Sequence, residues 1–250
     1  ANLKTALAAD FVFPSHAYVA HYLFNPVSVV AGSSAACCAQ WTADEAREIH
    51  ASCAGAPRMH KALVNYVDYE FSWRSPLLRE LAASCGNAHV LLMPAGDRSR
   101  YFRKTRRERL LEWLRYKATV ILPVDKDLST RVFDALLAGQ VPVVPSMIRD
   151  FDRVIPTQVQ QELGIVRIDE LGLPSIRGAI DEALRRFEQM GPEGVERRQQ
   201  FVLGKHMLSN RMAEMMQTLA LIARQEMIVP DVRNPGFGLY LAEKSGLPAS

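Results

Sequence analysis

The residues best suited to chemistry lie between Asp125 and Asp134. Thr119 to Val144 reads as an apolar strand, a polar turn, a helix, a glycine stop and a second apolar strand, one β-α-β unit. In an open α/β sheet the ligand lies at the carboxyl ends of the strands, where the next helix begins; residues 125–129 occupy that place. At about 100° per residue, Val132, Phe133, Leu136 and Leu137 share the side expected to face the core. Arg131 and Asp134, three apart, are expected on the opposite, open side. Free N–H groups of the first turn, beside the Ser129 and Thr130 hydroxyls, suit a phosphate, and Arg131 adds a permanent forked charge. One turn deeper, the Asp134 carboxylate suits a sugar diol. Phosphate at the helix start and ribose one turn along is the geometry of a nucleoside diphosphate lying across the helix. The same pair also reads as an i,i+3 surface ion pair worth a few tenths of a kcal/mol.

The elements around this unit must hold it in a sheet. Short apolar strands are predicted over Ala62–Val67, His89–Met93, Ala118–Leu122, Val141–Val144 and Ile165–Ile168. Between them fall helices opening at Ser75-Pro76, over Arg106–Tyr116, over about Thr130–Ala138 and over Ser175–Met190. A capping-box pattern, Thr42-Ala-Asp-Glu45, starts another helix that runs to about Cys53. A last helix is predicted from about Val195 to Gln225, with a kink near Gly204. Nearer the start, Phe11–Phe13 and Val27–Ala31 are strand-like and Ser15–Leu23 helical; beyond Pro230 helical periodicity is lost. Short apolar strands alternating with helices predict an α/β fold, a Rossmann-like parallel sheet with helices on both faces. Gly55-Ala-Pro57 is the candidate domain boundary.

The 250 residues form one large domain or two modest ones, and 48% hydrophobic with 23% charged is ordinary globular composition. No apolar run approaches the roughly 20 residues of a membrane span. Ala1 to Phe13 has neither a basic n-region nor a small-residue cleavage site, so no targeting peptide is expected in that stretch. Cys37, Cys38, Cys53 and Cys85 show no metal-ligand spacing and are expected as reduced thiols in a cytoplasmic protein. The net charge of +3 is too mild to imply nucleic acid. Arg98 to Lys117 nevertheless carries nine basic residues against Glu108 and Glu112, interleaved with Tyr101, Phe102 and Trp113. That is the pattern of a phosphate-and-stacking surface; it reads equally as a solvated loop and helix face, or as a stretch in which residues 98–103 help hold a diphosphate. Asp125-Lys-Asp127 fits two carboxylates sharing a hard cation, or a solvated acidic turn. His89 begins a strand and is expected in the core. His16, after the Pro14 strand stop, is placed where a general base would face a cleft. Walker A, G-x-G-x-x-G, G-x-S-x-G and H-E-x-x-H patterns are absent.

Leu128-Ser-Thr-Arg-Val-Phe-Asp-Ala-Leu-Leu-Ala-Gly-Gln-Val-Pro-Val-Val144 resembles the donor-binding helix of GT-B glycosyltransferases, in particular exostosin-like and spore-protein-like branches. Tyr66-Val-Asp-Tyr-Glu-Phe-Ser-Trp-Arg74-Ser-Pro-Leu-Leu is similar to their opening strand, loop, Arg and Leu-Leu helix. Gly204-Lys-His206-Met-Leu-Ser-Asn-Arg211 is similar to the start of their closing helix. The likeness spans about Pro57 to Arg224 and is most specific over 128–144. It implies a nucleotide-sugar donor, UDP- or GDP-linked, transferred without a metal or other cofactor to a glycan, lipid-linked or protein hydroxyl acceptor; nucleic acid is not an expected partner. A lipid-linked acceptor would bring peripheral membrane contact. It implies that Arg131 and the Ser129/Thr130 end hold the diphosphate, that Asp134 replaces the usual ribose-binding Glu, and that Arg74 reaches the nucleotide. Arg131 and His16 are the expected catalytic residues, stabilising the leaving diphosphate and deprotonating the acceptor. Residues 57–204 would be the nucleotide-sugar-binding domain, 205–250 a returning helix and tail, and 1–56 a short, incomplete amino-terminal domain on the acceptor side. Two readings compete: a non-catalytic GT-B-like binding module, and a GT-A-like transferase using a metal on Asp125 and Asp127.

Overall fold

The computed structural model describes residues 36–96, 103–123, 127–148, 151–224, 226–228 and 240–241. Five strands, β1 (Met59–Asp68), β2 (Ala88–Pro94), β3 (Tyr116–Val120), β4 (Val141–Pro145) and β5 (Val166–Ile168), form one sheet in the order β2-β1-β3-β4-β5. Every neighbouring pair is parallel. Parallel strands need crossovers, which here carry α2 (Arg74–Ser84), α3 (Arg106–Leu114), α4 (Arg131–Leu137) and the short helices α5 (Phe151–Val154) and α6 (Thr157–Leu163). Ahead of the sheet lies α1 (Ala43–Ser52), and after it α7 (Leu173–Lys205) and α8 (Leu208–Ala223). The fold is α/β, a Rossmann-like parallel sheet with helices on both faces.

Alternation along the strands divides the core in two. Leu63, Ile121 and Val144 face a layer containing Trp41, Trp113, Phe133 and Val202. Ala62, Val64, Val120 and Val143 face Leu78 and Leu81 of α2 and Ile176, Ile180 and Leu184 of α7. Each buried Val, Leu, Ile or Phe among them contributes about 1.5–3 kcal/mol. Residues 36–52 share the first layer through Ala36, Cys38, Trp41, Ala46 and Ile49. Both halves of the Thr42/Glu45 capping box form at the start of α1.

The chain steps outward from β1 to β2, then returns past β1 to β3 and continues to β4 and β5. That reversal is a topological switch point, with its crevice at the carboxyl ends of β1 and β3. Leu63 lies beside Thr119, and β3 ends at Val120 while β1 continues to Asp68. The difference in length leaves a step in the sheet at the place where open α/β sheets bind their ligands.

Some boundaries differ from expectation for local reasons. The helix expected to reach Tyr116 stops at Leu114, because Tyr116 already pairs with Met59 in the sheet. Helices α5 and α6 fall in a stretch the sequence left unassigned; the first is a single turn too short for periodicity to register. The two helices expected over Ser175–Met190 and Val195–Gln225 are present, with the break between them at Gly191 (φ 54°, ψ −154°) inside α7, and the kink expected near Gly204 is a gap at His206–Met207 that separates α7 from α8. The backbone at that gap pairs with Cys38 instead, Cys38 N–H to the His206 carbonyl at 2.8 Å and Leu208 N–H to the Cys38 carbonyl at 3.1 Å. The elements expected over 11–31 lie outside the described residues. Within the carboxyl-terminal stretch, Met227–Ile228 and Tyr240–Leu241 pair as a short antiparallel ladder.

Gly139, the stop after α4, has φ 71°, and a Cβ there would meet Val195 Cγ1 at 2.6 Å. Gly139→Ala therefore combines left-handed strain with overpacking, and urea unfolding is expected to show a loss of about 2 kcal/mol or more. A loss below about 0.5 kcal/mol would contradict this account of the α4–β4 connection.

Candidate functional site

The step between β1 and β3 is filled by Tyr66 and two arginines. Tyr66 is buried on β1, and its hydroxyl donates to the Val120 carbonyl and accepts from Leu122 N–H, both at 2.9 Å. The phenol thus ends β3 and fixes where the ring stands. Arg74, the first residue of α2, is 6% exposed, sits 4.6 Å from the Tyr66 centroid and donates to the Leu122 carbonyl at 2.8 Å. Arg131, the first residue of α4, sits 4.5 Å from the same centroid and 5.0 Å from the Trp113 ring, and donates to Asn65 Oδ1. Each contact of a guanidinium with an aromatic face is worth about 0.5–2 kcal/mol.

Burial lowers the Arg74 pKa, and the neighbouring charge of Arg131 lowers it further, while Tyr66, Tyr69 and Asp127 act in the opposite direction. Among the described residues neither arginine has a carboxylate within ion-pair distance, and the Nε of each is buried without a hydrogen-bond partner. Two cations held together in a partly desolvated crevice are suited to an anion with more than one oxygen. Beside them a cavity of about 210 Å³ is lined by Asn65, Leu91, Met93, Lys104 and Glu112. On the other side of Tyr69, a depression of about 810 Å³ runs over Phe71, Arg79 and Gly96. Phe71 is fully exposed, and Arg79 is held by two oxygens of Asp68 at 2.9–3.0 Å.

Two expectations about α4 need correction. Asp134 does not lie on an open side; it is 1% exposed, and every residue from Val132 to Leu137 is buried. The cause is the 36–41 segment, which covers the face that helical periodicity left for solvent. Gln40 Nε2 donates to Asp134 Oδ2 at 2.7 Å, and the Cys38 thiol lies against the same carboxylate. A sugar diol would have to displace these partners. Burial raises the Asp134 pKa to about 6, against the opposing effects of Gln40, Cys38, Arg131 and Arg109. Burial and the Asp134 charge together raise the pKa of Cys38, so it stays a thiol at neutral pH.

The second correction concerns the N–H groups of the first turn. Arg131 N–H goes to Ser129 Oγ at 3.3 Å, Val132 N–H to the Ser129 carbonyl at 3.1 Å, and Phe133 and Asp134 N–H to the Thr130 carbonyl at 3.0 and 3.1 Å. The turn is tightened on itself, so positive charge for an anion must come from side chains. Ser129 and Thr130 are half-buried immediately before Arg131.

Of the residues expected to act together, Arg74, Ser129, Thr130 and Arg131 come to one end of the sheet; Asp134 faces away from it. His16 and Asp125 lie outside the described residues, as do Arg98, Tyr101 and Phe102. Asp127 is buried, and Trp113 is a core residue rather than a stacking surface. His206 is buried between the Phe133 and Phe201 rings at 4.7 and 4.6 Å, with burial lowering its pKa to about 3, so it is neutral. His89 is half-buried, with its ring stacked at 5.4 Å on Tyr116. All four cysteines are free. Asn65 and Tyr66 were not singled out from the sequence. A polar Asn in the apolar run Ala62–Val67, one residue before a Tyr, was the available signal.

Among the described residues no helix is long and apolar enough to cross a membrane, and no cluster of three His, Cys, Asp or Glu side chains could hold a metal. Comparison with known protein families and with curated proteins finds no match.

The raised Asp134 pKa has a sign that can be measured. The folded state holds this proton more tightly than the unfolded chain, so stability is greatest below the ordinary carboxylate range and falls as pH rises through about 6. Asp134→Asn removes that dependence. Between pH 4 and pH 8 the variant is expected to gain on the wild type by on the order of 2–3 kcal/mol in urea unfolding. Parallel stability profiles for the two proteins would contradict a buried, charge-resisting Asp134.

Proposed function

We propose that the chain binds the diphosphate of a nucleotide sugar in the β1/β3 crevice and transfers the sugar to a hydroxyl acceptor. The observation that carries this reading is the convergence of Arg74 and Arg131 on Tyr66, with no carboxylate within ion-pair distance of either among the described residues, at the switch point of the sheet. The likeness of residues 128–144 to GT-B donor helices supplies the sugar-transfer chemistry. In that reaction the bond between the anomeric carbon and the diphosphate oxygen breaks, and a bond from the acceptor oxygen to the same carbon forms. The acceptor proton passes to a base, for which His16 is the candidate. Negative charge grows on the departing diphosphate, and preorganised guanidinium groups stabilise it more in the transition state than in the ground state.

Without its proposed diol contact, Asp134 has a supporting part in this scheme. It fixes the 36–41 segment over α4 and so sets how Arg131 leaves the helix. Ribose recognition would fall to groups on the crevice side, where Ser129 and Thr130 stand.

Isothermal titration of the chain with UDP and with GDP tests the reading. One of the two is expected to bind saturably, and Arg131→Ala is expected to weaken it at least tenfold, about 1.4 kcal/mol. Arg131→Lys keeps the charge but loses the fork, and should recover only part of that loss. Negligible binding of both nucleotides by the wild type would overturn the proposal. Nucleotide binding with no transfer or hydrolysis of either labelled nucleotide sugar would instead support the binding-module alternative.

A further inference from the structure

At the opposite pole of the sheet, where the strands begin, a cavity of about 610 Å³ lies between the end of α1, residues 53–58 and the broken helix α7. The break at Gly191 and Pro192 shapes one side, and Leu114, Val195 and Leu203 make an apolar wall. Three cations surround one ring beside it. Arg58, Arg198 and Lys117 lie 5.6, 5.5 and 5.8 Å from the centroid of Phe187, which is itself 8% exposed. Lys117 is paired with Glu188. Arg58 and Arg198 have no carboxylate within ion-pair distance among the described residues.

Backbone carbonyls satisfy only part of these two guanidinium groups. Arg58 Nη1 donates to the Ala138 carbonyl at 2.7 Å and to Tyr116 at 3.4 Å, while its Nε and Nη2 hydrogens have no acceptor among the described residues. Arg198 is fully buried; its Nε donates to the Gly139 carbonyl at 3.0 Å and its Nη1 to Leu163 at 3.1 Å, and Nη2 is left without a partner. Burial lowers the Arg58 pKa to about 10, so the group is charged at neutral pH. Glu196 lines the cavity from the exposed face of α7. Desolvated positive charge in excess of its acidic partners is costly, and an incoming oxyanion offsets that cost.

We infer that this cavity is a second binding site, for a small organic oxyanion with an apolar body, with Arg58 as its fork and the Leu114–Val195–Leu203 wall as its apolar surface. The ligand's phosphate or carboxylate would face Nε and Nη2 of Arg58 in two parallel hydrogen bonds, and its hydrocarbon part would lie along the wall. The site is separate from the β1/β3 crevice and does not depend on what binds there.

Phenyl phosphate is the probe. Titration calorimetry on the whole chain is expected to show one saturable site that Arg58→Gln weakens at least tenfold and Arg131→Ala leaves within twofold. Arg58 also holds the end of α4, so a second variant guards against a folding defect. Gln200→Trp, on the exposed rim of the cavity, is expected to block the probe while keeping Arg58. Cys53 lines the cavity and supplies an independent readout. Phenyl phosphate should slow its alkylation by iodoacetamide, scored by peptide mass spectrometry, and leave that of half-buried Cys85 unchanged. Absence of binding would overturn the inference. So would binding that both variants tolerate with Cys53 unprotected, or binding that disappears in Arg131→Ala.

Discussion

The central constraint is the contact of two guanidinium groups with one tyrosine ring. Tyr66 can hold that position because its hydroxyl takes over the backbone groups of β3 at the point where β3 leaves the sheet. Arg74 then arrives from the start of α2 and Arg131 from the start of α4, each on the first residue of its helix. Like charges so placed repel, and the structure tolerates them through ring faces, the Leu122 carbonyl and the Asn65 amide. None of these neutralises charge. Under the proposed function the crevice would be organised for an anion before one arrives, which is the condition for electrostatic stabilisation without reorganisation at the moment of reaction.

The sheet was legible because its strands are short, apolar and separated by capped helices. Thr42/Glu45, the glycine stop at Gly139 and the run Val141–Val144 each have one strong local interpretation, and the structure agrees with each. The place of Arg131 was legible as well, since a helix that follows a parallel strand begins at the carboxyl edge whatever the rest of the chain does; Arg74 entered only through the resemblance of residues 66–78. The place of Asp134 was not legible. Periodicity places a residue on a face of its own helix, but whether solvent or another segment covers that face depends on residues 36–41, nearly a hundred positions away. The same long-range pairing, Cys38 with the His206–Met207 gap, determines where the last helix stops, and Gly204 signals it only approximately. The tightened first turn of α4 was also hidden, because the choice between free and internally bonded N–H groups rests on the conformation at Ser129 and Thr130.

The distribution of charge adds to this picture. The chain is almost neutral overall, yet at both poles of the sheet stand arginines with no carboxylate within ion-pair distance among the described residues: Arg74 and Arg131 at the carboxyl ends, Arg58 and Arg198 at the amino ends. Many of the exposed ions between them are paired, as in Arg47 with Asp44, Arg107 with Glu48 and Arg185 with Glu182. Pairs of that kind contribute at most about 1 kcal/mol each. The four arginines are thus set apart from the surface ions by burial and by the lack of an ion-pair partner among the described residues rather than by number.

The most direct measurement of the central claim is the crystal structure of this chain soaked with a nucleoside diphosphate. Phosphate oxygens are expected within hydrogen-bond distance of both Arg74 and Arg131 in the step between β1 and β3, with Tyr66 still bonded to Val120. A diphosphate found elsewhere, with both guanidinium groups unmoved and the step empty, would contradict it.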